Sequence, residues 1–312
     1  MYERKRFFHI LRRTFLVWPL TVLVIALGSG AGAAEQEARG AKNAKGKRDS
    51  DFLGMLRNGL AFNLPIVLML GWSIGAPPDV LAYYAQVIER PVYLKVLANT
   101  FRIALIATLV CALLGYPLAY WMRGLSPGRQ LAALAFVVLP FWVSILVRTY
   151  AWIVVLGNDG VVNRSLQWLG VTGAPVSFLY NEFGVVLGTA NVLLPFLVLP
   201  LFAAMLRLDD RLLQAAASLG ASQRTIFWRI FFPLTVPSLA AGAILVFILT
   251  LGFFITPAIL GGGRVPMIAN MLDLLINRLP RWELAAAIST ILLVLTLACY
   301  AAYRRIGARS PA

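Results

Sequence analysis

The chain has 312 residues, 60% of them hydrophobic, with a mean hydropathy of +0.79 and a formal net charge of +15. Soluble domains are about 45–50% apolar, so an excess of this size, gathered into long runs, excludes an ordinary soluble domain and points to a membrane protein. The positive charge is then read first as membrane topology, because a nucleic-acid partner needs a soluble basic face that this pattern does not offer.

A membrane-spanning helix needs about 20 mostly apolar residues. Stretches without Asp, Glu, Lys or Arg cover 14–34, 58–78, 103–122, 130–147, 183–206, 230–263 and 284–303. The first follows Arg12-Arg13 and ends in small residues, SGAGAA, as a signal peptide does. A cleaved signal, an extra helix that does not cross, and a true start near Met55 all remain open for residues 1–54. The run 130–147 continues past Arg148 to Gly157. The run 230–263 is too long for one span; it divides into an insert, a helix of about 236–259 and the turn Gly261-Gly262-Gly263.

Lys and Arg gather on the cytoplasmic side. If 58–78 runs outward, segments 35–57, 123–129, 207–229 and 304–312 lie inside and carry 15 Lys/Arg, against 8 outside. Six spans with both core termini cytoplasmic fit this bias. The division is then a basic extension at 1–56, a transmembrane domain at 57–305 and a short basic cytoplasmic tail at 306–312.

Catalytic chemistry has little to work with. The one histidine, His9, lies outside the apolar runs, so neither a histidine metal site nor a triad can be built. Cys111 and Cys299 lack metal-ligand spacing and read as core residues. The sequence has no G-x-x-x-x-G-K-[ST] loop, so ATP hydrolysis, if involved, belongs to another chain.

Between the fourth and fifth core spans lies an amphipathic insert. Asp209 or Asp210 can cap a helix Arg211–Leu219. Gly220 suits a left-handed C-cap, and Ser222 can cap a second helix, Gln223–Phe231, which Pro233 is expected to stop. Ala215, Ala216 and Ala217 narrow the first helix, while Ile226, Phe227 and Ile230 share a face of the second. This pair suits docking into a partner's groove; it also suits lying on lipid headgroups.

The spacing Gln214-Ala215-Ala216, three residues, Gly220, nine residues, Ile230, one residue, Phe232-Pro233 resembles the EAA loop of ABC-importer permeases, E-A-A-x3-G-x9-I-x-L-P. Gln214 stands for the glutamate and Phe232 for the leucine. GYPLAYW (Gly115–Trp121), LPFWVSILVRTYAW (Leu139–Trp152), LPFLVLPLF (Leu194–Phe202) and GFFITPAILGGG (Gly252–Gly263) narrow the resemblance to spermidine/putrescine-type permeases over roughly 57–305.

The resemblance implies an all-α, six-helix type I importer core in a bacterial inner membrane. It also implies a second permease, two copies of an ATPase holding ATP and magnesium, and a periplasmic binding protein. The implied coupling residues are Gln214, Ala215, Ala216, Gly220, Ile230 and Pro233. A neutral Gln214 cannot make the family glutamate's ion pair, a loss of about 1 kcal/mol at a partly exposed site.

Other positions allow two readings each. Pro117, Pro140, Pro195 and Pro200 kink helices at moving joints or simply pack. Arg148 is functional or snorkels. Tyr150 and Trp152 line an outer vestibule or join an interfacial belt. Asn191 pairs between helices or lines the path. None of the spans holds Asp or Glu, which argues against a proton- or sodium-driven carrier, the rival class. Polyamines or related organic solutes are the cargo that the resemblance implies; opines and amino-acid derivatives are alternatives.

Overall fold

The computed structural model describes residues 63–74 and 81–307, with side chains as far as residue 301. The run 14–34, the basic stretch after it, the start near Met55 and the tail beyond 307 fall outside the described residues. The chain divides at Pro65 into two units; everything below concerns the second, apart from the opening turn of the first helix.

That helix, α1 (Asn63–Ser73), is the described part of the first expected span. Then come α2 (Ala82–Glu89), α3 (Pro91–Arg123), α4 (Pro127–Trp142), α5 (Ile145–Leu156), α6 (Val161–Trp168) and α7 (Glu182–Leu206). After α7 come α8 (Asp210–Ser218), α9 (Gln223–Leu251), α10 (Ile255–Leu260), α11 (Ile268–Asp273) and α12 (Trp282–Gly307). No strand occurs among the described residues. Among the described residues, five segments are long and apolar enough to cross a membrane: α3, α5 together with α6, α7, α9 and α12.

Three helices make the centre: α3, α7 and α9 pack on one another, α3 and α7 most extensively. Cys111, Ala119 and Met122 of α3 meet Leu197, Leu201 and Met205 of α7 and Val246 of α9, all fully buried. Without a hydrophobic drive between helices in lipid, close approach depends on small residues. Gly115 supplies it: a Cβ there would stand 2.7 Å from Leu197 Cδ2. A second cluster (Val87, Val96, Ile268, Leu284 and Ile288) joins α2, α3, α11 and α12 toward the N-terminal end of α3.

Two expected spans are broken. The run 130–157 is two helices, because Val143 and Ser144 are extended (ψ 134 and 137). Pro140, in the last turn of α4, has no N–H to give the preceding turn. The expected helix 236–259 stops at Leu251 and restarts at Ile255, a break bracketed by Gly252 and Pro257.

Candidate functional site: the insert between α7 and α9

The insert begins where Asp209 caps α8, its carboxylate accepting from Arg211 N–H at 2.9 Å. The helix is one residue out of register with the expected Arg211–Leu219. It closes in a Schellman arrangement: Gly220 N–H donates to Ala217 O at 2.9 Å and Ala221 N–H to Ala216 O at 3.1 Å. Gly220 holds φ +83, a conformation that L side chains resist. Ser222 then caps the next helix, accepting from Thr225 N–H at 3.3 Å.

From there the structure departs from the expectation. Pro233 does not end the second helix. The chain passes through a π turn at Phe227–Phe231, with Phe232 N–H bonded to Phe227 O, and continues as α9 to Leu251. The wider turn shifts the hydrogen-bond register immediately before the proline, which then sits at the start of regular helix, where its missing N–H does little harm. The insert is therefore one short free helix and a bend, and its second helix is the root of the fifth span.

The apolar face of that second helix is also not free for a partner. Ile226 and Phe231 are buried, and Ile230 is half-buried. Tyr120 of α3 packs edge-on against Phe227 and Phe231, with ring centroids 5.3 and 5.1 Å away. Tyr116 meets Phe232 at 5.4 Å and pairs with Thr235 Oγ1 at 2.9 Å. The free apolar surface belongs instead to α8, of which no residue is buried. Leu212 at its start and Leu219 at its end are 53% and 88% exposed.

Arg123, the last residue of α3, ties this helix to the bundle. Its Nη2 ion-pairs with Asp210, its Nε donates to Met205 O at 2.9 Å, and its guanidinium lies 5.1 Å from the Phe231 ring centre. Gln130 Nε2 donates to the Arg123 carbonyl at 3.1 Å. A cavity of about 200 Å³ opens beside it, lined by Tyr120, Arg123, Gln214, Ile226, Phe227 and Phe231. Sequence reasoning missed Arg123. Its signal was present: Arg123 and Asp210 are among the first charges after the apolar runs 103–122 and 183–206, whose ends share one side in the six-span topology.

Of the residues expected to matter, Gln214 and Ala215 are exposed and Ala216 is half-buried on α8; Pro233 is exposed. Tyr150 is exposed and Trp152 half-buried on α5. Asn191 is exposed on α7 and has no hydrogen-bond partner among the described residues. No ring contact or hydrogen bond joins Tyr150, Trp152 and Asn191 among the described residues. Among the described residues Arg148 Nε and Nη1 are buried without a partner, as is Thr189 Oγ1. Beside it, Thr149 Oγ1 and Thr256 Oγ1 lie 3.3 Å apart. Among the described residues no cluster of His, Cys, Asp and Glu is arranged to hold a metal.

The described residues form a helical membrane bundle with a short capped helix at one end, and similarity to known proteins fixes the class. Residues 115–310 match the sequence model of the binding-protein-dependent transport system inner membrane component, and the chain belongs to that family. It is a multi-pass ABC-importer membrane subunit, not an enzyme.

Over 254 residues it is 35% identical to the spermidine/putrescine transport system permease protein PotB of Haemophilus influenzae, covering 80% of this chain and 88% of that one. It is 30% identical over 256 residues to a putative 2-aminoethylphosphonate transport system permease protein, PhnU, of Salmonella typhimurium, covering 80% and 88%. In fold it is similar to the crystal structure of a bacterial alginate ABC transporter in complex with an alginate pentasaccharide-bound periplasmic protein. The TM-score is 0.64 at 19% identity, covering 84% of this chain and 96% of that one.

Proposed function

We propose that this chain is the permease subunit of an ATP-driven importer for polyamines, spermidine and putrescine first, or a related small organic solute. Its complex holds a second permease, two copies of an ATPase that carry ATP and magnesium, and a periplasmic binding protein. The core termini and α8 face the cytoplasm. ATPase closure pushes α8, the bend at Gly220 and the Arg123 contacts carry the push into α3, α7 and α9, and the cavity between the permeases changes from inward- to outward-facing.

The single observation that carries this reading is the state of α8. It is fully capped at both ends and fastened at its root, yet it buries no side chain and exposes Leu212 and Leu219. A helix of nine residues has little stability alone, so a rigid mount with a bare apolar side fits insertion into a partner's groove. In this reading the coupling set is Gln214, Ala215, Ala216, Gly220, Ile230 and Pro233, with Arg123 added. Asn191, Tyr150 and Trp152 are assigned to the path between the two permeases.

Polyamine cargo rests on the relative with 35% identity. A second reading has its own support: among the described residues Arg148 has two buried, unpartnered donor nitrogens, Nε and Nη1, which suit a carboxylate or phosphonate better than an ammonium, and a relative is named for 2-aminoethylphosphonate. Pull-down of the tagged chain from its native membrane in mild detergent, with mass spectrometry, tests the class. The expected result is recovery of an ATPase, a second permease and a binding protein; recovery of this chain alone contradicts it. Calorimetry of the binding protein with spermidine, putrescine and 2-aminoethylphosphonate then separates the two cargo readings.

A further inference from the structure

Helices α4 and α5 complete a membrane crossing on their own. They hold 16 and 12 residues, together about 42 Å at 1.5 Å per residue, against a hydrocarbon core of about 30 Å. The polar turn Gly157-Asn158-Asp159-Gly160 follows at once. Helix α6 therefore stands beyond the hydrocarbon, at the surface where α5 emerges.

Its position there is fixed from one side. Asn163 is fully buried: its Nδ2 donates to Gly157 O at 2.9 Å and to Val176 O at 3.0 Å, and its Oδ1 accepts from Val176 N–H at 2.8 Å. Gly160 lets the helix start close against α5, since a Cβ there would stand 2.5 Å from Val155 O. The far end closes in a second Schellman turn. Gly170, at φ +69, donates its N–H to Gln167 O at 3.0 Å, and Val171 N–H donates to Leu166 O at 3.0 Å.

The other side is bare and apolar. Val161 and Trp168, seven residues apart, share a face, and Leu169 and Val171 follow; these four are 64%, 85%, 63% and 66% exposed. Val147 and Val154 of α5 are exposed in the same way, so bare apolar surface runs from the span up to α6. Arg164 is exposed between Val161 and Trp168 and has no ion-pair partner among the described residues. The core of a protein interface is depleted of charge, whereas an apolar stripe with a tryptophan and a free arginine, set where a span ends, suits the lipid headgroup zone.

We propose that α6 is a membrane-surface helix, with Val161, Trp168, Leu169 and Val171 at the acyl boundary of the leaflet where α5 ends and Arg164 on the lipid phosphates. Because Asn163 and Gly160 lock α6 to α5, the lipid surface holds that end of α5, while the extended Val143 and Ser144 leave it a joint to α4. Neither the cargo nor the ATPase enters this placement.

The test uses the whole complex, purified from its native membrane and reconstituted in vesicles of phosphatidylcholine and phosphatidylglycerol. A nitroxide is attached at Trp168→Cys in a Cys299→Ser background, in which the remaining Cys111 is buried. Its relaxation by oxygen, which gathers in lipid, is compared with that by a water-soluble nickel chelate. Oxygen is expected to exceed the chelate several-fold, relative to the same ratio at Asn158→Cys in the polar turn. Leu169→Cys is expected to behave like Trp168→Cys and stands as the test if that variant does not accumulate. With Arg164→Glu added, the ratio is expected to fall toward the value at Asn158→Cys, since the anionic lipid then repels the helix; an unchanged ratio overturns the contact with phosphate. A ratio equal to that at Asn158→Cys without this change overturns the proposal by placing the face in water. Relaxation by neither reagent also overturns it, because the face is then covered by another subunit.

Discussion

Helices α3 and α7 are fastened to each other at both ends by an arginine, and the two fastenings differ in almost everything else. At the far end Arg102 meets Glu182 with both side chains about half exposed, 55% and 48%. At the insert end the Arg123 side chain is only 17% exposed, and it serves a carboxylate, a carbonyl and an aromatic ring together. The first is an exposed pair, which salt and side-chain entropy reduce to about 0–1 kcal/mol. The second is a junction: one guanidinium fixes the end of α7, the start of α8 and the root of α9 in a single geometry. The same residue type is thus a minor clasp at one end and a mechanical joint at the other, and the difference comes from burial and from the number of acceptors.

The comparison can be broken at several points. The largest structural effect is expected at the crossing between the two ends. Gly115→Val puts atoms where Leu197 Cδ2 would stand 2.7 Å from a Cβ, a clash worth about 1–3 kcal/mol, seen as a lowered melting temperature of the purified complex. Next comes the joint. Arg123→Ala is expected to lower uptake about tenfold, or ~1.4 kcal/mol, with membrane insertion intact. Arg123→Lys should recover only part of this, because a point charge cannot serve three acceptors; full recovery by lysine would reduce the joint to a simple ion pair.

Smaller changes should follow at Gln214 and at the far clasp. Gln214→Glu supplies the carboxylate that the resemblance to the EAA loop implies and is expected to raise the uptake gained per ATP by up to a few-fold, about 1 kcal/mol at most. Arg102→Gln should cost about 0.5 kcal/mol of stability at low salt and nothing measurable at high salt. An effect of Arg102→Gln as large as that of Arg123→Ala would erase the distinction between the ends.

Much of the insert was legible in the sequence because its signals are local. Capping by Asp209 or Asp210 and by Ser222 and the left-handed Gly220 follow from residue type and spacing alone; the structure uses Asp209, Ser222 and Gly220. The π turn was not legible, because a register shift of one backbone hydrogen bond leaves no mark in apolar periodicity. Pro233 therefore read as a stop where it is the first turn of a span. The free face of the second helix was misjudged for a related reason. Its apolar residues look available until Tyr116 and Tyr120, more than a hundred positions earlier, are brought onto them. The charge pattern put Arg123 and Asp210 on one side of the bundle, but that these two pair needed the same long-range information. Asn191 read either as an amide paired between helices or as a residue of the path, and it is exposed on α7.

The most direct test of the coupling account is to measure uptake and ATP hydrolysis together, in proteoliposomes of the reconstituted complex, for Gly220→Val beside the unaltered protein. A β-branched residue at φ +83 is strained, while no atom lies within 4 Å of the added Cβ to disturb packing. The bend is therefore altered and the bundle is not. The account predicts a complex that still assembles with its ATPase but takes up far less solute per ATP hydrolysed. An unchanged ratio, with both rates normal, would contradict it.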